Sequence, residues 1–396
     1  MTRTTRDLVE RELRESAGIL RLDPAWVARD WLPPGRRLGL PTDAYDVGIR
    51  GFICERWLAS TTRADNAVGP DDEGISMIRT AAGERISLAD AVAAAPDLLL
   101  GAAYAETHAG LGRLAKIFDF AERIPQHIHP PLEFAARAGR NSKDEAYYFP
   151  SGVDLGPHPE TFLGIHPSLD RDRLWDEFTA VLRDWNDDRI LRYSPAYLQV
   201  PEEGFFIPSG VLHAPGTALT IELQEDSDTL AMLQALNAGA IIDKNLLMKD
   251  VSDDDRASHG DTAPLHWIDW HENGDPYFYD NHRLVPEVFR DEGDATEAWI
   301  FYGSDKFCGK RLVIDPGASY RSAENGVFSV FVWSGTGTVG GVEVVGQSHN
   351  HDELLVSHDR ATGDLLYINT GDTPLVILKM FGPDICSDAP LLARRT

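Results

Sequence analysis

Two blocks of short, turn-separated strands most strongly limit how this chain can fold. Residues 113–224 and 297–381 alternate short β-branched and aromatic runs with turns, and the sequence contains 34 glycines and 24 prolines that can supply those turns. The candidate strands of the second block are 297–303, 310–314, 327–333, 338–345, 353–357, 365–369 and 374–381. This spacing is typical of a sandwich or jelly roll, so the sequence predicts a mainly β fold with two related β-barrels.

Helical periodicity occurs outside these strands and divides the chain. Helices are predicted over 5–31, 87–111, 131–139 and, as a small insertion into the first block, at about 167–193. The stretch 239–265 is polar and acidic, and we interpret it as an irregular connector or an excursion over the surface. We therefore predict four parts: an N-terminal helical segment (1–44), a first β domain (45–238), the connector (239–265) and a second β domain (266–396).

Charge and composition disfavour several classes of partner. The 396 residues include 37 basic and 63 acidic side chains, a net charge of −26, whereas nucleic acids and anionic membranes attract positive surfaces. No apolar run approaches the roughly 20 residues of a membrane helix, and the polar N-terminus lacks a signal-peptide core. Cys54, Cys308 and Cys386 are far apart, and we interpret them as free thiols in a reducing compartment. Together these features predict a cytoplasmic protein with a small-molecule partner.

Four side chains of the types that bind metals are split over three pieces of the first block. His127 and His129 lie two positions apart, so on a strand both face the same side. Glu145 follows on the next candidate strand, and His213 follows a Pro-x-Gly turn. Three imidazoles and one carboxylate suit zinc, iron, manganese or nickel and leave coordination positions open for a substrate. The sequence therefore predicts a divalent metal site.

These motifs resemble, in order, those of type I mannose-6-phosphate isomerases of the cupin superfamily. The matching segments are 118–121, 124–130, 143–145, 206–214, 219–229 and, more weakly, 55–60. The resemblance runs from about residue 50 to the C-terminus. It implies a bicupin of two jelly-roll barrels, with a catalytic cupin at 45–238 and a second cupin at 266–396. It also implies a zinc-dependent aldose–ketose isomerase acting on a sugar or sugar phosphate, with metal ligands at His127, His129, Glu145 and His213.

Two positions depart from the family pattern. His127 stands where the family usually has glutamine, which makes the donor set more like the three-His, one-Glu set of other cupins, including iron dioxygenases. Met232 stands where the family has an active-site arginine. Arg137, Arg140 and Lys143, at three-residue spacing, are candidates to replace that charge and bind substrate; the alternative is a solvated helix face.

Moving a carbonyl between C1 and C2 of a sugar requires a base that carries a proton between the two carbons. Glu222 alternates with apolar neighbours on its strand and is our first candidate for that base. Lys143 shares strand parity with Glu145 and is a candidate to bind substrate oxygens or stabilise developing charge. Gln224 is a further candidate for substrate binding. The alternatives are a structural buried carboxylate at Glu222 and a surface lysine at Lys143.

A second histidine pair, His349 and His351, has the spacing of a cupin metal signature. No suitably spaced carboxylate strand and Pro-x-Gly-x-x-His turn follow it, so we interpret it as a polar loop.

The leading hypothesis is therefore a metal-dependent aldose–ketose isomerase that works through a metal-stabilised cis-enediol. Zinc is the expected metal, with manganese, iron or nickel as alternatives. Two other functions stay open: an iron-dependent oxygenase with a three-His, one-Glu site, and a non-catalytic sugar-binding bicupin that keeps the metal.

Overall fold

Strands form most of the regular structure in residues 4–80 and 82–396, the part of the chain that the computed structural model describes. The helices are α1 (Thr5–Glu15), α2 (Leu88–Ala94), α3 (Pro96–Leu100), α4 (Ala102–Ala105), α5 (Leu132–Arg137), α6 (Arg171–Asp184), α7 (Asp253–His259), α8 (Trp270–Asn273), α9 (Phe278–His282) and α10 (His358–Ala361). Single 3₁₀ segments are Thr42–Ala44, Gly48–Arg50, Arg189–Tyr193, Lys244–Leu247 and Gly260–Trp267.

The strands fall into two long series along the chain. The earlier strands are β1 (Ile19–Asp23), β2 (Ala25–Arg29), β3 (Phe52–Leu58), β4 (Met77–Arg79), β5 (Arg85–Ser87), β6 (Arg113–Phe118), β7 (His127–Ile128), β8 (Glu145–Tyr148), β9 (Glu160–Leu163), β10 (Ala196–Leu198), β11 (Gly204–Ile207), β12 (His213–Ala214), β13 (Thr220–Glu225), β14 (Ala231–Met232), β15 (Leu236–Asn237) and β16 (Ala240–Ile241). The later strands are β17 (Arg283–Leu284), β18 (Glu287–Asp291), β19 (Ala295–Phe301), β20 (Cys308–Ile314), β21 (Ser319–Ser322), β22 (Phe328–Ser334), β23 (Thr336–Val339), β24 (Val342–Val345), β25 (Glu353–Val356), β26 (Leu365–Asn369) and β27 (Leu375–Phe381).

The first pair of sheets carries the predicted metal residues. In the described part of the chain, one sheet has the order β17-β11-β8-β13-β6-β3-β2 and the other β10-β9-β12-β7-β14, with antiparallel neighbours. Strand β13 is buried on both faces: Ile221 and Leu223 enter the largest apolar core, while Glu222 points to the opposite side. Along the ladder, Glu222 lies between Lys116 of β6 and Tyr147 of β8. Three polar side chains are thereby aligned across neighbouring strands.

The second pair of sheets includes strands from both ends of the chain. Within the described residues, the larger sheet has the order β18-β19-β20-β27-β22-β25-β1-β4-β5 and the smaller β21-β26-β23-β24. β1 pairs with β25, whereas the next strand, β2, pairs with β3 in the first sheet pair. Residues 19–29 therefore cross from one sheet pair to the other.

The predicted N-terminal helix is right only for its first part. The Thr4 hydroxyl accepts from the Asp7 N–H and the Asp7 carboxylate accepts from the Thr4 N–H, so α1 begins with a capping box. The helix ends before Gly18, which has φ +83° and whose added Cβ would lie 2.9 Å from Arg360. The prediction of helix beyond this point is wrong, because β1 and β2 pair with distant strands and tertiary pairing overrides local periodicity. Residues 1–3 of the predicted segment lie outside the described residues.

The strands predicted in the second block are confirmed, with two differences in detail. The predicted strand 338–345 is a hairpin of β23 and β24, with Gly340 and Gly341 at positive φ in the turn. Strand β21 was not predicted, because Ser319–Ser322 is short and polar. The helical predictions over 87–111, 131–139 and 167–193 are confirmed by α2 to α6.

The stretch 239–265 is more ordered than predicted. It contains α7 and two 3₁₀ segments, and Leu247, Val251 and Leu265 are buried in an apolar core shared with α6. The prediction of an irregular surface connector is wrong because a few well-spaced apolar residues anchor an otherwise acidic segment. The stretch 239–265 and the α6 insertion therefore pack against each other in one apolar core.

The cysteine prediction also requires a correction. Cys308 and Cys386 form a disulfide with a Cα–Cα distance of 6.5 Å, so the prediction of free thiols is wrong for this pair. Cys54 is a buried free thiol. The 78-residue separation hides the pairing at the level of sequence, because strand β20 and the segment after β27 meet only in the folded sheet. Separately, none of the described helices combines the length and apolar character needed to cross a membrane.

A closed cluster of charges lies inside the second sheet pair. The Lys379 ammonium is 2.6 Å from Glu297 Oε1 and 2.7 Å from Glu324 Oε1. The Lys310 ammonium is 2.9 Å from Glu324 Oε2, and the Tyr320 hydroxyl donates to Glu297 Oε2 over 2.8 Å. All five side chains are buried. We call Lys310, Lys379, Glu297 and Glu324 the C-terminal charge cluster.

Candidate metal centre

Three buried histidines converge in the first sheet pair. Their ligand atoms lie within 4.8 Å of one another. His127 of β7 lies opposite His213 of β12 in an antiparallel ladder, and His129 follows two positions after His127 on the same side. The structure thus brings together the three imidazoles that the sequence predicted as metal ligands.

Each of these imidazoles is oriented by a backbone carbonyl. The Nδ1 atoms of His127, His129 and His213 lie 2.8, 2.7 and 2.9 Å from carbonyl oxygens. The carbonyls belong to Pro125, Thr229 and Val211. Because a carbonyl oxygen only accepts, Nδ1 carries the proton and the Nε2 lone pair is free to bind a metal. This is the tautomer that a histidine ligand bound through Nε2 requires.

Glu145 supplies a carboxylate to the same point. Its Oε2 lies 3.1 Å from His129 Nε2, and its Oε1 lies 3.0 Å from His213 Nε2. Burial alone would raise the pKa of Glu145, but the Lys143 ammonium and then His129 hold it well below its ordinary value, so the carboxylate is ionised. His213 Nε2 is buried, and its position relative to Glu145 lacks hydrogen-bond geometry, so it has no hydrogen-bond partner among the described residues. A buried lone pair beside an ionised carboxylate fits a divalent cation.

Burial keeps two of the histidines neutral. The pKa of His129 falls to about 3, because burial and then the nearby Lys143 ammonium disfavour the imidazolium form. Burial and the neighbouring His213 and His129 rings lower the pKa of His127 well below its ordinary value. Neutral imidazoles are the form that binds metal ions.

Lys143 and Glu222 lie directly beside these four residues. The Lys143 ammonium is 2.7 Å from Glu145 Oε2 and 3.2 Å from Glu222 Oε1. It also donates to His129 Nε2 over 3.2 Å, so a positive group already contacts two of the four donors. Burial and then the Glu145 charge raise the pKa of Glu222 to about 7. A carboxyl group in this range can both take up and release a proton at neutral pH.

Several charged residues of the centre were missed from the sequence. The Lys116 ammonium is 3.4 Å from Glu222 Oε2, and the Tyr147 hydroxyl donates to Glu145 Oε1. Arg29 is held between Glu55, at 2.7 Å, and Asp228, at 3.1 Å. Lys116 interrupts an apolar strand, and that interruption was a usable signal.

Two adjoining cavities lead to this centre. A cavity of about 40 Å³ is lined by His127, His129 and Glu145 together with Lys116, Lys143 and Glu222. A larger chamber of about 670 Å³ opens beside it. Both are lined by Arg29, Trp31, Leu230 and Met232. We call the first the inner cavity and the second the outer chamber.

The other predicted substrate contacts lie at different distances from the centre. Arg140 lines the outer chamber. Arg137 is paired with Asp255 at 3.0 Å. Gln224 is buried, and its amide donates to the carbonyls of Glu225, at 2.9 Å, and Ser227. Among the four predicted contacts, only Lys143 reaches the metal-type residues.

The second histidine pair belongs to a link between the sheet pairs. His349 Nε2 lies 3.0 Å from the carbonyl of Leu38. The next two residues after His351, Asp352 and Glu353, bind the guanidinium of Arg56 through their carboxylates at 2.6 and 2.9 Å. Arg56 follows Glu55 in β3, and successive residues of a strand face opposite sides. Arg56 therefore contacts the other sheet pair, whereas Glu55 lines the inner cavity.

Fold and site define a mainly β protein with a buried centre suited to a metal ion. No protein-family model and no curated protein matches the sequence. Solved structures do share its fold. Mannose 6-phosphate isomerase from Bacillus subtilis aligns with a TM-score of 0.62 at 15% identity, over 91% of this chain and 99% of that chain.

Two further structures agree with this result. A putative mannosephosphate isomerase from Archaeoglobus fulgidus aligns with a TM-score of 0.60 at 14% identity, over 92% of this chain and 97% of that chain. A mutant of phosphomannose isomerase from Salmonella typhimurium aligns with a TM-score of 0.62 at 14% identity, over 92% and 100% of the two chains. The resemblance to phosphomannose isomerases that the motifs predicted is confirmed in the fold.

Proposed function

We propose that this protein is a metal-dependent aldose–ketose isomerase. One observation carries the proposal: three imidazole Nε2 atoms and the Glu145 carboxylate converge beside the Lys143–Glu222 pair, at a cavity of a fold shared with mannose-phosphate isomerases. Metal-type donors and a proton-transferring carboxyl group are the two requirements for moving a sugar carbonyl between C1 and C2.

His127, His129, Glu145 and His213 would hold the metal. A divalent ion there would supply Lewis-acid polarisation of the substrate's carbonyl and hydroxyl oxygens. Zinc is the proposed ion, because tetrahedral nitrogen and oxygen donor sets are typical of zinc sites. Its charge would also lower the pKa of nearby acids, and so favour the ionised form of Glu222 before the reaction begins.

Glu222 is the proposed base. Its ionised carboxylate takes the proton from one of the two reacting carbons, and the resulting carboxylic acid returns it to the other through a cis-enediol, while a hydroxyl proton passes from one of the two substrate oxygens to the other. Lys143 lies 3.2 Å from Glu222 Oε1 and is placed to stabilise negative charge on the substrate oxygens. Lys116 contacts the other oxygen of Glu222 and holds its orientation.

The other predicted substrate contacts and the predicted domains form part of the same proposal. The reacting end of the sugar would occupy the inner cavity and the rest would extend into the outer chamber, towards Arg140. Arg137 and Gln224 would support the walls through their bonds to Asp255 and Ser227. The two sheet pairs would be two jelly-roll cupins, at 45–238 and 266–396, with β1 added to the second from the N-terminal segment and β4 and β5 added to it from within the first range.

Deuterium wash-in tests the proposed reaction. Zinc-, manganese- or iron-loaded protein is incubated in heavy water with a panel of free and phosphorylated aldoses and ketoses. NMR then reads deuterium at C1 or C2 and the appearance of the partner sugar. Metal-stripped protein is the control and is expected to show neither. No exchange on any sugar by protein with verified metal content would contradict the proposal and favour a non-catalytic binding protein.

One observation favours a second candidate, a metal oxygenase. His127 completes a set of three histidines and one glutamate, a set also suited to iron. Oxygen uptake by the iron-loaded protein in the presence of a substrate, without sugar exchange, would support this alternative.

A further inference from the structure

We propose that the sugar is unphosphorylated, because the cations of the outer chamber are already neutralised by carboxylates of the protein. This inference rests on the proposed function, and it concerns the end of the substrate that lies away from the metal. It assigns the substrate class from the ion pairs of the chamber wall.

The cation at the entrance to the inner cavity is enclosed. Arg29 lines both cavities, and its guanidinium lies between Glu55, at 2.7 Å, and Asp228, at 3.1 Å. The three side chains are largely removed from solvent, with 7% of Arg29, 4% of Glu55 and 7% of Asp228 exposed. Glu55 and Asp228 share the single positive charge of Arg29. A phosphate group that bound Arg29 would therefore compete with two buried carboxylates for that charge.

The two cations further out are also paired with carboxylates, but they are less buried, with 44% of the Arg140 side chain and 20% of the Lys249 side chain exposed. The Arg140 guanidinium is 2.6 Å from Asp65 and 3.5 Å from Asp250. The Lys249 ammonium is 3.2 Å from Asp65 and 3.6 Å from Asp250. Asp250 is buried, and the two cations neutralise its negative charge. Moving either cation towards a phosphate would therefore leave that buried charge less well neutralised.

The chamber lining as a whole carries no positive excess. Of the described residues that line it, the three cations Arg29, Arg140 and Lys249 are matched by three acids. The acids are Asp30, Asp65 and Asp243. Since Asp228, Asp250 and Glu55 lie behind the cations, a phosphate dianion would enter a region in which carboxylates outnumber cations.

A neutral sugar meets no such obstacle. Its hydroxyl groups both donate and accept, so they can bind paired carboxylates and guanidinium groups without breaking the pairs. Asn66 and Asn245 add amide groups to the same lining, and Trp31 and Met232 form an apolar wall where the two cavities adjoin. The chamber of about 670 Å³ lies within the size range of ligand pockets, about 300–1,000 Å³.

Matched substrate pairs provide the first test. The kcat/KM of each free aldose is compared with that of its own 6-phosphate, using protein of verified metal content. We expect a preference of at least about tenfold for the free sugar, because like charges placed next to each other disfavour binding. A preference for the phosphate overturns the inference while leaving the isomerase proposal intact.

A binding measurement keeps the inference testable if no sugar is turned over. Mannitol and mannitol 1-phosphate are titrated into the metal-loaded protein by calorimetry. Tighter binding of mannitol supports the inference even if the isomerase proposal fails. Tighter binding of the phosphate, or no binding of mannitol, overturns it.

Charge variants test the cause. Asp65→Asn removes the carboxylate shared by Arg140 and Lys249, and it should raise kcat/KM or affinity for the phosphorylated ligand by about tenfold. The matched control is Asp30→Asn, which removes the same charge from the lining without releasing either of these cations, and should give a smaller gain. Met232→Arg adds a cation at the boundary of the cavities and should act in the same direction. No gain for the phosphorylated ligand in correctly folded Asp65→Asn and Met232→Arg proteins would contradict the role assigned to charge.

Discussion

Both sheet pairs bury lysines and carboxylates, but they satisfy them differently. In the C-terminal charge cluster, Lys379 and Lys310 lie within 2.9 Å of carboxylate oxygens of Glu297 and Glu324. In the candidate metal centre, three imidazole lone pairs point to one place, and His213 Nε2 lacks a hydrogen-bond partner among the described residues. The first cluster is complete within the protein, whereas the second has donor atoms to spare.

This difference separates structural from functional burial of charge. Two lysines and two glutamates neutralise one another, and the centroid of the Phe289 ring lies 4.2 Å from the Lys310 ammonium, at the distance of a cation–π contact. A cluster of paired, buried charges of this kind favours only the side-chain packing in which the pairs form. Donor atoms that lack partners, next to a cavity, are typical instead of a site that binds a ligand.

Loss of a metal ligand should have the largest effect. His129→Ala and His213→Ala each remove one of four donors and should lose the metal, with a larger drop in affinity than the roughly 10–100-fold caused by loss of an outer partner. Metal content measured by atomic emission checks this. His166→Ala, at an exposed histidine, is the matched control and should keep the metal. Full occupancy in both site variants would remove these ligands from the proposal.

Glu222→Gln should separate chemistry from metal binding. The amide keeps the shape of the side chain but cannot accept the proton, so deuterium exchange should fall by about 10²–10⁴-fold while the metal stays bound. NMR exchange rates and metal content, measured on the same sample, check this. Glu133→Gln on exposed α5 serves as the control. Unchanged turnover in the Glu222 variant would exclude it as the base.

Equivalent lysine substitutions test the comparison directly. Lys379→Met removes a buried positive charge that neutralises Glu297 and Glu324. It should lower the free energy of unfolding by about 3–5 kcal/mol. Lys143→Met should cost less in the metal-loaded protein, because the bound cation still compensates Glu145. Urea unfolding of both variants gives the two values. If Lys143→Met were the more destabilising, the two clusters would not differ in the way described.

The disulfide should contribute a smaller amount. Cys386→Ser opens a link between residues 78 positions apart, and should reduce stability by about 2–4 kcal/mol. Cys54→Ala, at the buried free thiol, is the comparison variant. Alkylation before and after reduction, read by mass spectrometry, counts the thiols. Three reactive thiols in unreduced, unfolded protein would contradict the disulfide and favour the predicted cytoplasmic location.

Much of the candidate centre could be predicted because its residues follow a simple local rule. His127 and His129 are two positions apart, and Glu222 alternates with Ile221 and Leu223. Strand geometry alone therefore predicts on which side of its strand each of these side chains lies. The strands of the second block could be predicted for a similar reason, since turns separate well-defined apolar runs.

The rest of the centre depends on contacts between distant parts of the chain. Arg29 lies in a segment whose local pattern favours a helix, and it becomes a strand residue only by pairing with β3. Its partner Asp228 is 199 positions away. The burial of 239–265 likewise depends on α6, because only a few apolar residues make that contact. No local periodicity encodes such pairings.

Strand β3 has a consequence for how relatives of this protein can diverge. Glu55 faces the inner cavity, while the next residue, Arg56, binds Asp352 and Glu353 of the other sheet pair. A one-residue insertion or deletion before Glu55 would exchange these two faces and remove both contacts at once. We therefore expect relatives to vary in this strand by substitution only, and to place changes in length in the loops at either end.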